Sequence, residues 1–142
     1  MITYNASFFG LFENMFILLK QEFGEEKALN LFTNLMEKGL RKSYGTNFVK
    51  GDLAEFERLV GDRDLLVGLR VEFIRKSDKE MIYKFYDDPF PNLREQVDQK
   101  KLDKCYMAFK VNHILGDSWT YKTSKHLWQG DDCTEYLIYK IN

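Results

Sequence analysis

Proline, cysteine and histidine each occur only twice in 142 residues. The prolines, Pro89 and Pro91, stand together, so no Pro-rich linker divides the chain. The cysteines, Cys105 and Cys133, could form one bridge at most, too few for a disulfide scaffold. Both are expected to be free thiols in a reducing cytoplasm. Neither positive nor negative residues are in excess. Lys and Arg total 21 against 22 Asp and Glu, a net charge of −1, which argues against a broadly basic nucleic-acid binder and against an acidic tail. The longest apolar stretch, Ala6 to Leu19, is broken by Glu13 and Asn14 and falls short of the roughly 20 residues a membrane helix needs. Met1 to Asn5 carry no basic secretory n-region. There is no glycine-rich phosphate loop, no G-x-S-x-G elbow, no H-E-x-x-H and no paired C-x-x-C, so the corresponding nucleotide, hydrolase and metal chemistries have no motif.

Aromatic residues are abundant: twelve Phe, eight Tyr and two Trp, 15% of the chain. Each buried ring removes about 150–250 Å² from water, which excludes a disordered chain. Length and composition fit one domain spanning residues 1–142.

Up to about Gly61 the chain reads as helical. Phe8, Phe12, Met15, Leu19 and Phe23 follow the spacing of one helical face, widened by Phe9 and Phe16. That excess of apolar residues predicts either a homodimer through the first helix or its complete burial in the helical layer. A second helix, Glu25 to about Tyr44, starts with two acids at its positive end and has Gly45 as its C-terminal cap. A third, Asp52 to Val60, has Asp52 as N-cap.

The hydrophobic period then changes to 2. Leu69 to Phe73 and Met81 to Tyr86 alternate as two strands joined through Lys76-Ser77-Asp78-Lys79. Pro89 and Pro91 end that ladder, and a helix is expected from Asn92 to about Val111. Trp119 to Thr123 and Cys133 to Ile141 form a second hairpin around Gln129 to Asp132. The order ααα-ββ-α-ββ predicts an α+β fold, a helical N-terminal layer packed on a four-stranded antiparallel sheet.

Cys105, His113, His126 and Cys133 are numerous enough for a zinc site, but their spacing matches no finger or ribbon, and no metal is expected. Asp87-Asp88 and Asp131-Asp132 lie in turns, where carboxylates bond local backbone amides. Tyr83, Tyr86, Tyr121, Tyr136 and Tyr139 lack the basic neighbours of a nucleobase-stacking surface and are read as core or pocket wall.

The last third carries a longer pattern. Cys105 lies in a helix, Trp119 to Leu127 is a strand running into K-T-x-x-x-L, and Gly130-Asp131-Asp132-Cys133-Thr134-Glu135-Tyr136 opens the final strand. This arrangement, clearest over Met81 to Ile141, resembles the L-2-amino-thiazoline-4-carboxylic acid hydrolase family and the related 4-vinyl reductase domain. In this chain Asp88 stands where that family commonly has a cysteine, and Ala108 where it often has an aspartate. The resemblance implies hydrolysis of a cyclic amidine, with Cys105 as the thiol nucleophile and Asp88 as the acid/base. His113, Tyr121 and His126 are the expected ligand-binding residues. The alternative is a non-catalytic small-ligand-binding or dimerisation module of the 4-vinyl reductase type. Either way the expected partners are a small organic ligand and a second copy, with neither nucleic acid nor membrane. No feature identifies a cofactor.

Overall fold

The computed structural model describes residues 5–141. Helix α1 (Ala6–Phe23) is opened by Asn5, whose side chain accepts from the Phe8 amide at 3.0 Å. Gly24, at φ +88°, turns the chain directly into α2 (Glu25–Tyr44), a backbone angle at which a Cβ would be strained. Glu25 and Glu26 face the positive end of α2, Arg41 and Lys42 the negative end. Helix α3 (Leu53–Leu66) is capped by Asp52, which accepts from the Ala54 amide at 2.8 Å. It continues past the expected end at Val60, because Asp64 prolongs the buried line of Leu53, Phe56 and Val60.

The next helix departs further from expectation. Pro91–Leu93 is only a 3-10 turn, and α4 (Gln99–Leu115) starts later, where Asp98 accepts from the Lys100 and Lys101 amides at 3.1 and 3.2 Å. Strands β1 (Val71–Ser77), β2 (Glu80–Phe85), β3 (Trp119–Lys125) and β4 (Thr134–Lys140) form one sheet in the order β1-β2-β4-β3, every neighbouring pair antiparallel. The fold is α+β in the expected element order, with α4 crossing from β2 to the far edge strand β3.

Alternation sends Met81, Tyr83 and Phe85 of β2 and Tyr136 and Ile138 of β4 to the inner face, where all five are buried. Helix α4 packs against the sheet, α2 against α4, and α1 against α2. A helix covered on two sides needs apolar residues most of the way round, and α4 has them from Leu102 to Leu115. One core cluster reaches from Phe9 in α1 to Ile138 in β4.

Burial of α1 is one-sided. The inward line is Phe9, Glu13 and Phe16; Met15 and Phe23, which spacing places on the main apolar face, are exposed, as are Leu11 and Leu18. Glu13 can face inward because it accepts from the Asn92 amide at 2.6 Å and from its side-chain amide at 3.1 Å. Among the described residues no helix is long and apolar enough to cross a membrane.

Candidate ligand cavity

A cavity of about 320 Å³ lies where the three N-terminal helices meet the segment after β2. Phe8, Phe9 and Phe12 of α1 and Leu35, Met36 and Leu40 of α2 form two of its sides; Val67 and Leu69 follow α3 into it, and Phe85, Pro89 and Phe90 close it from the sheet. The rings brace one another edge to face, Phe90 against Phe9 at 5.5 Å and against Phe32 at 5.8 Å. Lys38 and Gly39, both exposed, place its outer edge on α2. Small-molecule sites are cavities of about 300–1,000 Å³, mostly apolar with a few polar groups, and this one has that size and lining.

Its polar end is built by Asp64 of α3 and Lys110 of α4, both almost wholly buried. Lys110 Nζ lies 4.0 Å from Asp64 Oδ1 and 3.3 Å from the Tyr83 hydroxyl, and the Tyr83 hydroxyl donates to the other Asp64 oxygen. Three rings surround the ammonium, those of Phe85 and Tyr106 at 5.3 Å and Tyr83 at 5.4 Å. Burial pushes the Lys110 ammonium below its ordinary value and the Asp64 carboxyl above its own, while each partner's charge opposes the shift. Nearby, the Tyr44 hydroxyl is buried without a hydrogen-bond partner among the described residues.

A second polar cluster adjoins the first through Tyr106, whose ring lines the cavity while its hydroxyl donates to Asp103 Oδ1 at 2.7 Å. Asp103 Oδ2 accepts from the Tyr136 hydroxyl at 2.7 Å and faces His126 Nε2 at 3.1 Å. His126 Nδ1 accepts from the Trp128 amide, which assigns the ring proton to Nε2 and makes that atom the donor to Asp103. Asp88 completes the cluster, accepting from the Phe90 amide at 3.0 Å and the Trp128 indole at 2.7 Å. Burial raises the Asp88 carboxyl, opposed by those two donors. The space between these groups is about 10 Å³, room for one water and no organic ligand.

The structure therefore brings Asp88 and His126 together in a closed cluster. Tyr121 sits edge-on to Tyr136, at 5.8 Å between ring centres, and does not line the cavity. His113 is stacked on Phe109 at 4.9 Å with Nε2 at 2.7 Å from the Gly45 carbonyl, also outside it. Cys105 is buried between α4 and α2, its thiol 3.5 Å from the Lys101 carbonyl and 3.8 Å from that of Leu29, and lines neither space. Burial pushes this thiol above its ordinary range. Cys133 is buried but outside the core cluster, because Thr134 takes the inward position at the start of β4. Among the described residues no group of three or more His, Cys, Asp or Glu comes together to hold a metal.

Sequence reasoning missed Asp64, Lys110 and Asp103. A usable signal exists: Asp64 follows Leu53, Phe56 and Val60 at helical spacing, and Lys110 lies among Met107, Phe109 and Val111. A charge on the apolar line of a helix is either paired inside or belongs to a site.

No protein-family model matches the chain, and no curated protein matches it. Among solved structures it is similar to the phenol-responsive sensory domain of the transcription activator PoxR, determined with phenol: TM-score 0.61 at 16% identity, covering 99% of this chain and 76% of that one. At this identity the likeness establishes a shared fold.

Proposed function

We propose that this chain is a non-catalytic binding domain for a small, ring-bearing organic molecule, held in the cavity between α1, α2 and α3. The observation that carries this reading is the cavity itself: about 320 Å³, walled by braced aromatic and aliphatic side chains, with one buried polar pair at its end. An apolar cavity of about 150 Å³ admits benzene, so this volume suits one ring with a short substituent. The shared fold with a domain described as phenol-responsive supports the same class of ligand.

The thiol-hydrolase reading finds less support. Cys105 faces backbone carbonyls in a packed helix interface, its thiolate is disfavoured by burial, and the ligand-sized cavity does not reach it.

The test is thermal unfolding with and without single-ring compounds such as phenol, toluene and ethylbenzene. Binding raises the melting temperature in a concentration-dependent way. Met36→Trp, at a half-buried position on the wall, fills the space and abolishes that rise while the chain stays folded. A rise of equal size in the Trp variant, or no rise with any compound, contradicts the reading.

A further inference from the structure

The cavity lining contains three cations, Lys38, Arg63 and Lys110, against one carboxylate, Asp64. The deepest cation keeps donors to spare. An ammonium carries three donors, and Lys110 spends one on the Tyr83 hydroxyl at 3.3 Å. Its carboxylate neighbour stands 4.0 Å away, beyond the 2.7–2.9 Å of a direct charge-assisted hydrogen bond, and is already engaged by that same hydroxyl. Its aromatic neighbours hold the charge by their faces and accept no strong hydrogen bond. The lysine is 4% exposed, so bulk water does not serve the remaining donors. Arg63 adds positive potential near the outer edge, its guanidinium resting on the Phe8 ring at 5.5 Å, and Lys38 adds more from the exposed side of α2.

A neutral aromatic guest would fill the apolar volume and leave this excess uncompensated. An acid would do both. Resting on the cavity reading above, we infer that the ligand is a monocarboxylate with a single-ring or similarly sized apolar body, its carboxylate bound by Lys110 and its ring held among Phe8, Phe9, Phe12 and Phe90.

Phenylpropanoate and its amide form the test pair, since they share shape and differ in charge. At neutral pH, calorimetry shows the carboxylate binding about tenfold or more tightly than the amide, the size expected when a charge-assisted bond replaces a neutral one in a buried site. The double variant Asp64→Asn, Lys110→Met removes both charges, keeps an acceptor for the Tyr83 hydroxyl and leaves an unbranched apolar side chain one atom shorter than lysine. Its ratio of carboxylate to amide affinity falls to about one, whatever the change in either affinity alone. A second measurement needs no variant: at saturation the Lys110 Cε resonance moves further with phenylpropanoate than with the amide, and an equal movement counts against the anion assignment. Equal or tighter binding of the amide, or retention of the preference in the double variant, overturns the anion assignment. In those cases binding of neutral rings leaves the cavity reading standing. Failure of both probes and of every neutral ring compound overturns the two together.

Discussion

Asp103 shows how this chain tolerates charge in its interior. A buried carboxylate is costly unless its oxygens are occupied, and Tyr106, Tyr136 and His126 occupy them from α4, β4 and the turn after β3. Asp88, His126 and Trp128 are locked into the same network, which leaves no ligand-sized space beside them. Cys105 is equally committed to packing. Iodoacetamide is therefore expected to label it slowly at neutral pH and faster as pH rises, since burial holds the thiol protonated and a thiolate is the reactive form. Cys105→Ala is expected to cost about 1–2 kcal/mol in denaturant unfolding, on the scale of mild core truncations, with ring-compound binding unchanged. Fast labelling that a ring compound blocks would return Cys105 to the site. Residue type alone points to thiols, histidines, carboxylates and tyrosines, whatever their surroundings. The cavity instead uses a lysine and an aspartate whose significance lies in where their helices point, and one-dimensional spacing shows that only once α3 is known to extend to Leu66.

At the level of elements, the helices form most of the cavity wall and the sheet supplies its backing. Helix α2 has a glycine at position 39 in its interior, exposed, without a required backbone angle, and at the outer edge of the cavity. A Cβ built there meets nothing within 4 Å. Gly39→Ala is therefore expected to stabilise the chain by about 0.5–1 kcal/mol, the usual helix-interior difference between the two residues. Denaturant unfolding reads this directly, and a loss of stability would show that the helix needs glycine for a reason of packing. Strands and the first three helices were legible because alternation and 3–4 spacing are strong local signals. The start of α4 was not: Asn92 to Gln99, with only Leu93 and Val97 apolar, suits a helix or a turn equally, and Asp98 decides the matter by capping the Lys100 and Lys101 amides. The facing of α1 was obscured by its surplus of phenylalanines, and Glu13, bonded to Asn92, sets which of them turn inward.

The whole molecule is an antiparallel sheet covered on one face by α4, with α2 and α1 stacked beyond it, and that stacking creates the cavity. The architecture followed from the change of hydrophobic period along the chain. The cavity did not, because an internal space depends on how five segments distant in sequence fail to fill the volume between them. Methyl-resolved NMR of the unmodified chain reports whether a ring-bearing guest occupies it. Titration with phenylpropanoate is predicted to shift the methyl resonances of Leu35, Met36, Leu40, Val67 and Leu69, which line the cavity, and to leave Ile82 and Leu137, on the outer face of the sheet, unmoved. Saturable shifts confined to Ile82 and Leu137, or no shifts with phenylpropanoate or any neutral ring compound, would contradict that occupancy.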